Sequence, residues 1–227
     1  IIIRSFNPWR PNTLDNETGL GISNLENSEL TFEKKHEFNV GMNVAILNNR
    51  ISVDADFYSR KQSDLIGSVN TQGLGGEIIK FGNVAAMTSS GFELSLAGTV
   101  LKNDNFSWVS NFIYTKAKNR VTMMINRSRV SDLITGTGFA LEGYPVRSLF
   151  SIPFSRINEN GLPVFRYIGG EETITGVNFQ SRTDLDFLTY EGSTEPTDQG
   201  SFGNIFSYKN FKLNVFITYS FGNVVCL

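Results

Sequence analysis

Two aspartates, Asp54 and Asp56, have the spacing best suited to acid–base chemistry in this sequence. On a β-strand they share one face roughly 7 Å apart, within the range over which paired carboxyl groups cleave glycosides. Strands that turn one face to water also carry carboxylates at this spacing, and the alternation around the pair favours that reading. The only histidine, His36, sits between Lys35 and Glu37, so a Ser-His-Asp triad has a single base to draw on and is disfavoured. Glu171 with Glu172 and Asp184 with Asp186 offer hard oxygen ligands of the kind calcium takes, set in a stretch that reads more simply as a solvated loop. Arg120, Arg127 and Arg129 form a short basic run, either an anion site or a solvated loop face. Gly73, Gly75 and Gly76 lack the following Lys-Ser/Thr and the helix of a phosphate loop. The aromatic series Tyr144, Phe150, Phe154, Phe165, Tyr167 and Tyr190 suits stacking on sugar rings, packing on a partner protein, or a small core of its own, and the sequence leaves these open. No catalytic, cofactor-binding or metal site is expected, no cofactor is implied, and no substrate-binding residue is singled out.

These residues need a scaffold, and composition narrows what it is. The chain has 227 residues, a formal net charge of −2 and a hydrophobic fraction of 40%, so it is neither disordered by composition nor basic enough for a nucleic-acid partner. One cysteine, Cys226, permits no internal disulfide. Helical periodicity is hard to find, and no run of about 18 apolar residues marks a membrane-crossing helix. The chain opens on an apolar triplet at Ile1 without an initiator Met or signal peptide, and it is expected to be a piece of a longer protein.

The clearest pattern is period-two alternation over segments about as long as a tilted membrane-spanning strand, roughly 9–11 residues. Phe38, Val40, Met42, Val44 and Ile46 share one face, and Asn39, Gly41, Asn43 and Ala45 the other. Asn48 and Asn49 supply a tight turn, after which Ile51, Val53, Ala55 and Phe57 alternate with Ser52, Asp54, Asp56 and Tyr58. A further strand from about Gly91 to Leu101 sets Phe92, Leu94 and Leu96 against Glu93, Ser95 and Ala97. A turn at Lys102–Asn105 leads into a strand from Phe106 to about Asn119, in which Trp108 and Phe112 compete with Val109 and Ile113 for the apolar face. A last hairpin pairs Phe202–Tyr208 with Phe211–Phe221 around Lys209 and Asn210. In its second arm Phe211, Leu213, Val215, Ile217 and Tyr219 oppose Lys212, Asn214, Thr218 and Ser220. Long connections are expected at about Ser68–Ser90 and Val121–Gly200, the second broken by Pro145, Pro153, Pro163 and Pro196. Short turns alternating with long loops are the asymmetry of outer-membrane barrels, and strand parity puts both long connections on one side. Short ribbons within the second are expected at Ser148–Phe154 and Leu162–Ile168. The competing architecture is a soluble surface β-sandwich that binds carbohydrate, whose strands also alternate.

Five segments in order resemble the SusC/RagA family of TonB-dependent transporters from Bacteroidetes. Asn27–Lys34, NSELTFEK, is similar to the family's NPDLKWEK-type strand start, and Phe57–Leu65, FYSRKQSDL, to FYYKKTSDL. Met87–Leu94, MTSSGFEL, matches N-x-GFEL. Glu142–Phe150, EGYPVRSLF, with Asn158–Phe165, NENGLPVF, resembles EGxPxGSFY and ENGxPxF. Phe202–Gly222, FGNIFSYKNFKLNVFITYSFG, is close to FxNxFSYKNFDLSxxFSYSFG. Arg147 stands where the family has Gly, Ser28 where it has Pro, and a DPxP pattern is reduced to Glu195 and Pro196. The resemblance implies an all-β protein, an antiparallel transmembrane β-barrel of about twenty-two strands with a plugged lumen, in the bacterial outer membrane. Residues 1–227 would then be part of one barrel domain lacking the plug, the TonB-contacting segment and the final strands, with 121–200 a long extracellular loop region. It further implies import of oligosaccharides or peptides with a SusD-type surface lipoprotein as lid, driven by the TonB complex, in a dimer of transporter–lipoprotein pairs among outer-membrane lipid.

Overall fold

The computed structural model describes residues 27–70, 79–135 and 140–225. Gly73, Gly75, Gly76 and Cys226 lie outside them. The architecture is one antiparallel sheet of six strands: β1 (Lys34–Ile46), β2 (Ile51–Asn70), β3 (Ile79–Lys102), β4 (Phe106–Met124), β10 (Asp198–Tyr208) and β11 (Phe211–Phe221), neighbouring in that order. Between β4 and β10 the chain leaves the sheet and builds a small lobe from β5 (Ser148–Ser151), β6 (Phe154–Ile157), β7 (Pro163–Arg166), β8 (Glu172–Thr173), β9 (Thr189–Ser193) and the five-residue helix α1 (Val130–Ile134).

Local chemistry sets the three tight turns at one end. Leu47, Asn48 and Asn49 take φ of 56°, 54° and 61°, a left-handed run that asparagine tolerates better than most residues. At Lys102–Asn105 the Asn103 side chain accepts from the Phe106 amide at 2.8 Å and the Asn105 amide at 3.2 Å, closing an Asx turn. Tyr208 pairs directly with Phe211 across Lys209 and Asn210.

Directly opposed residues in a ladder share a face, so the register sorts every side chain. Val44, Val53, Leu96, Phe112, Phe202 and Ile217 form one row across all six strands. Asn43, Asp54, Ser95, Ile113, Ser201 and Thr218 form the adjacent row on the other face. This resolves β4, whose Trp108 and Phe112 join the apolar face while Val109 and Ile113 point the other way. Phe216 is a large aromatic on the polar face, lying over Gly203.

The apolar face has no protein cover among the described residues: Phe38 is 63% exposed, Leu213 60% and Phe211 79%. A sandwich buries this face against a second sheet. The two small ribbons in the lobe are not such a layer, and the sandwich reading is set aside.

Three expectations need correction. The connection placed at Ser68–Ser90 is largely ladder, because β2 and β3 stay paired up to Asn70 and Ile79. These strands run 20 and 24 residues, well beyond a membrane span. Beyond the apolar band both faces meet water, so the sequence loses its alternation although pairing continues. A bulge between Gln62 and Leu65, with Asp64 at φ 57°, further breaks the period. The lobe's ribbon from Ser148 is split at Ser151, and β5 pairs with the unforeseen β9. Helix α1 was also unforeseen, since five residues are too few for a 3.6-residue period to register.

Candidate functional site

The six-stranded sheet presents a surface suited to lipid on one side and to water on the other. β11 has 11 residues, a length that crosses a hydrocarbon band about 25 Å tall when tilted by about 45°. On its apolar face the aliphatic middle is bounded by aromatic residues at both ends. Near the tight turns stand Phe106, Trp108, Phe206, Tyr208 and Phe211. Trp108 stacks on Phe206 at 5.5 Å between ring centres and donates its indole N–H to Asn204 Oδ1 at 2.9 Å. Toward the other end stand Phe38, Phe57, Phe92, Tyr114, Tyr219 and Phe221. Tyr114 donates its hydroxyl to Asp198 Oδ1 at 2.5 Å, and Lys116 pairs with the same oxygen at 3.0 Å. Two amphipathic aromatic belts around an apolar band are the signature of a transmembrane barrel wall.

The opposite face is a hydrogen-bonded polar wall. Arg60 bridges to Glu37 at 2.9 Å and lies 4.0 Å over the Tyr58 ring. Asn43 donates to Asp54, and Asp56 lies against Gly41 and opposes Glu93 in the ladder. Asp54 and Asp56 therefore share a face as their spacing predicts, set in the wall of the sheet. His36 opposes Lys61 on the other face, so it has no line to either aspartate.

Among the described residues the lobe holds most of the buried core, with Val84 and Val121 of the sheet beside it. Val130 and Leu133 are fully buried, joined by Leu149, Phe150, Val164 and Phe187. The lobe docks on the far end of β4: the Gly143 amide donates to the Val121 carbonyl and the Val121 amide to the Tyr144 carbonyl, both at 2.9 Å, and Asn119 Oδ1 accepts from the Val146 amide at 2.8 Å. Tyr144, Phe150 and Tyr190 form an aromatic cluster with ring centres 4.9–5.6 Å apart, and Tyr167 meets Phe187 at 4.6 Å. Phe150 belongs to the core, whereas Phe154 and Tyr190 are exposed. Beside the cluster opens a cavity of about 490 Å³ lined by Arg127, Glu142, Tyr144, Phe150, Leu185 and Asp186, among others. Its volume falls within the range of small-ligand sites, about 300–1,000 Å³, and its lining is more polar than theirs usually is.

The structure disperses the basic run. Arg127 lines this cavity, Arg120 lies on the outer face of β4, and Arg129 pairs with Asp132 at 2.9 Å. The acidic pairs do not converge either: Glu172 accepts from Ser155 at 2.6 Å and Arg156 at 3.0 Å, and Asp184 from Ser181 at 3.4 Å. Among the described residues no three His, Cys, Asp or Glu side chains gather as for a metal ion. Two departures from the family pattern meet each other, because Arg147 and Glu195 form an ion pair at 3.4 Å.

The Arg129 guanidinium holds the Asp132 carboxyl below its ordinary value of 3.8, helped by the Arg129 backbone N–H. A depressed carboxylate contributes stability above its unfolded pKa, and that contribution is lost as pH falls through the folded value. Helix α1 is therefore expected to hold firm at pH 5 and to loosen only below about pH 3.8. In Asp132→Asn the loosening is expected already at neutral pH. Hydrogen exchange of residues 130–134, corrected for its intrinsic pH dependence, checks both arms; identical protection in the variant and the parent at pH 7 would show that the pair does not anchor the helix.

Comparison with known proteins bears on the whole chain. Residues 3–224 match the family model described as TonB dependent receptor-like, beta-barrel. TonB-dependent receptor P3 of Formosa agariphila is 23% identical over 225 residues, covering 91% of this chain and 22% of the receptor. TonB-dependent receptor SusC of Bacteroides thetaiotaomicron is 28% identical over 99 residues, 43% of this chain and 10% of that protein. Among solved structures, the RagAB peptide transporter superposes with a TM-score of 0.75 at 26% identity, covering 98% of this chain and 24% of that one. This chain thus spans about a fifth of the length of the curated relatives it matches most fully.

Proposed function

This chain belongs to the TonB-dependent receptor-like β-barrel family, and from that premise we propose that the whole protein is an active importer of the bacterial outer membrane. Its cargo is an oligosaccharide or a peptide, taken up with a SusD-type surface lipoprotein as lid and driven by the TonB complex, in a dimer of transporter–lipoprotein pairs. One observation carries the reading: a single sheet turns an aromatic-bounded apolar band outward and a hydrogen-bonded polar wall inward, which is how a barrel places lipid on one side and a plugged aqueous lumen on the other. The RagAB relative is described as a peptide transporter, which supports the peptide alternative. The long connection, residues 121–200, lies outside the cell, since the tight turns cluster at the opposite end of the sheet and barrels keep short turns in the periplasm. Its lobe, with the aromatic cluster and the Arg127 cavity, is the surface that meets cargo and lid.

The partner is tested by gentle detergent extraction of the full-length protein from native membranes. The expected result is recovery with a surface lipoprotein at a fixed ratio; recovery without lipoprotein at any ratio contradicts it. Orientation is tested by a tag inserted near Gly170, expected to be labelled on intact cells. Labelling only after the outer membrane is broken reverses the topology.

A further inference from the structure

The ladder register assembles a basic patch that sequence neighbourhood hides. Beyond the outer aromatic belt, on the same face as the apolar band, Lys118 opposes Ser90, and Arg120 opposes Thr88, which in turn opposes Lys61. Lys118 and Arg120 are two residues apart on one strand, roughly 7 Å, and Lys61 lies two ladders away, roughly 10 Å. All three are exposed. Lys116 on this face is already neutralised by Asp198, and Lys34 by Asp64 at 2.7 Å. Lys61, Lys118 and Arg120 have no carboxylate ion pair among the described residues. A cavity of about 410 Å³ lies at the patch, lined by Lys118, Arg120 and the hydroxyls of Ser59, Thr88 and Ser90.

We propose that Lys61, Lys118 and Arg120 form a binding site for the phosphorylated headgroup of an anionic glycolipid in the outer leaflet. The site begins where the apolar band ends, so a lipid whose acyl chains lie along Phe57 and Phe92 brings its headgroup to these three cations. Unneutralised cations at the headgroup level attract anionic lipid, and neighbouring hydroxyls supply hydrogen bonds to phosphate oxygens. A patch meant only for bulk water needs neither the missing carboxylates nor continuity with the lipid face. The inference rests on the orientation proposed above, which puts this end of the sheet in the outer leaflet.

The test uses the full-length protein in mild detergent, titrated with diphosphoryl lipid A, with the same glycolipid lacking phosphate, and with inorganic phosphate as competitor. Wild type is expected to prefer the phosphorylated glycolipid, with little competition from inorganic phosphate. Lys61→Gln/Lys118→Gln/Arg120→Gln is expected to lose on the order of a hundredfold in that affinity. Lys212→Gln, on the polar face of β11, is expected to bind as wild type does. Heat-modifiable migration verifies folding; if the triple variant fails to fold, Lys118→Gln/Arg120→Gln carries the same test with a smaller loss. Equal affinity in the variant, no preference for the phosphorylated lipid, or full competition by inorganic phosphate would each overturn the proposal. So would unchanged lipid affinity with loss of the lipoprotein partner, which would assign the patch to protein contact. Failed cargo uptake would leave lipid binding to the purified barrel untouched, whereas periplasmic labelling near Gly170 would remove the outer-leaflet occupant and the inference with it.

Discussion

Val215→Lys is expected to cost the full-length protein about 2–4 kcal/mol of folding stability, seen as a sharp fall in heat-modifiable, folded yield. Val215 lies on the apolar face of β11, four residues from each bounding aromatic, Phe211 and Tyr219. That is the middle of the band, where no water reaches a charged amine and the aromatic belts are too far for a lysine to extend to headgroups. Its neighbour Asn214 opposes Ile205 on the other face, two residues from Lys212. Asn214→Lys is therefore expected to fold nearly as well as wild type. Equal tolerance of the two variants would remove the lipid from this face of the strand.

Gly200→Ala is the second large effect, on the order of 1–3 kcal/mol or more. Gly200 lies in β10 opposite Tyr219 on one side and Tyr114 on the other. A methyl group there would run into the Ile113 carbonyl oxygen and the end of the Tyr219 side chain. The tyrosine can swing away, but the carbonyl belongs to the ladder and cannot. Gly98 on the same face is the control, because a Cβ at that position meets Arg50 O and Ile51 Cγ1 at 3.6 Å, ordinary contact. Gly98→Ala is expected to be near neutral in folded yield. Comparable losses at the two positions would mean that backbone flexibility, rather than the close approach of β4, explains the glycine.

Where lipid meets the sheet, the sequence was easy to read. Hydrocarbon on one side and water on the other force an alternation, which Phe38–Ile46 and Ile51–Phe57 display throughout and Phe211–Ser220 breaks only at Phe216. β4 was ambiguous because its polar face carries Val109 and Ile113, so hydropathy alone splits the strand; only pairing with Phe206 and Phe202 settles it. The outer halves of β2 and β3 were invisible for the converse reason, since residues such as Ser59–Asp64 and Thr88–Ser90 lie beyond the hydrocarbon and are polar on both faces. The basic patch was missed through neighbourhood. Arg120, Arg127 and Arg129 are close in the chain but diverge in space, whereas Lys118, Arg120 and Lys61 need the strand period and the ladder to come together. In the lobe, the aromatic residues were legible as a group, but which enter the core depends on bonds such as Gly143 to Val121 that no local pattern encodes.

The central claim is that one face of this sheet meets lipid and the other an aqueous lumen. It is tested most directly by single cysteines along β11 in the full-length protein, with Cys226→Ser as background, spin-labelled in lipid bilayers. Collision rates with oxygen, which concentrates in hydrocarbon, and with a water-soluble nickel chelate are then read at positions 213, 214, 215, 217 and 218. Oxygen access is predicted to dominate at 213, 215 and 217 and chelate access at 214 and 218, repeating with the strand period of two. Equal chelate access at Leu213, Val215 and Ile217 would contradict the account, because a face open to water along its whole length is not the wall of a transmembrane barrel.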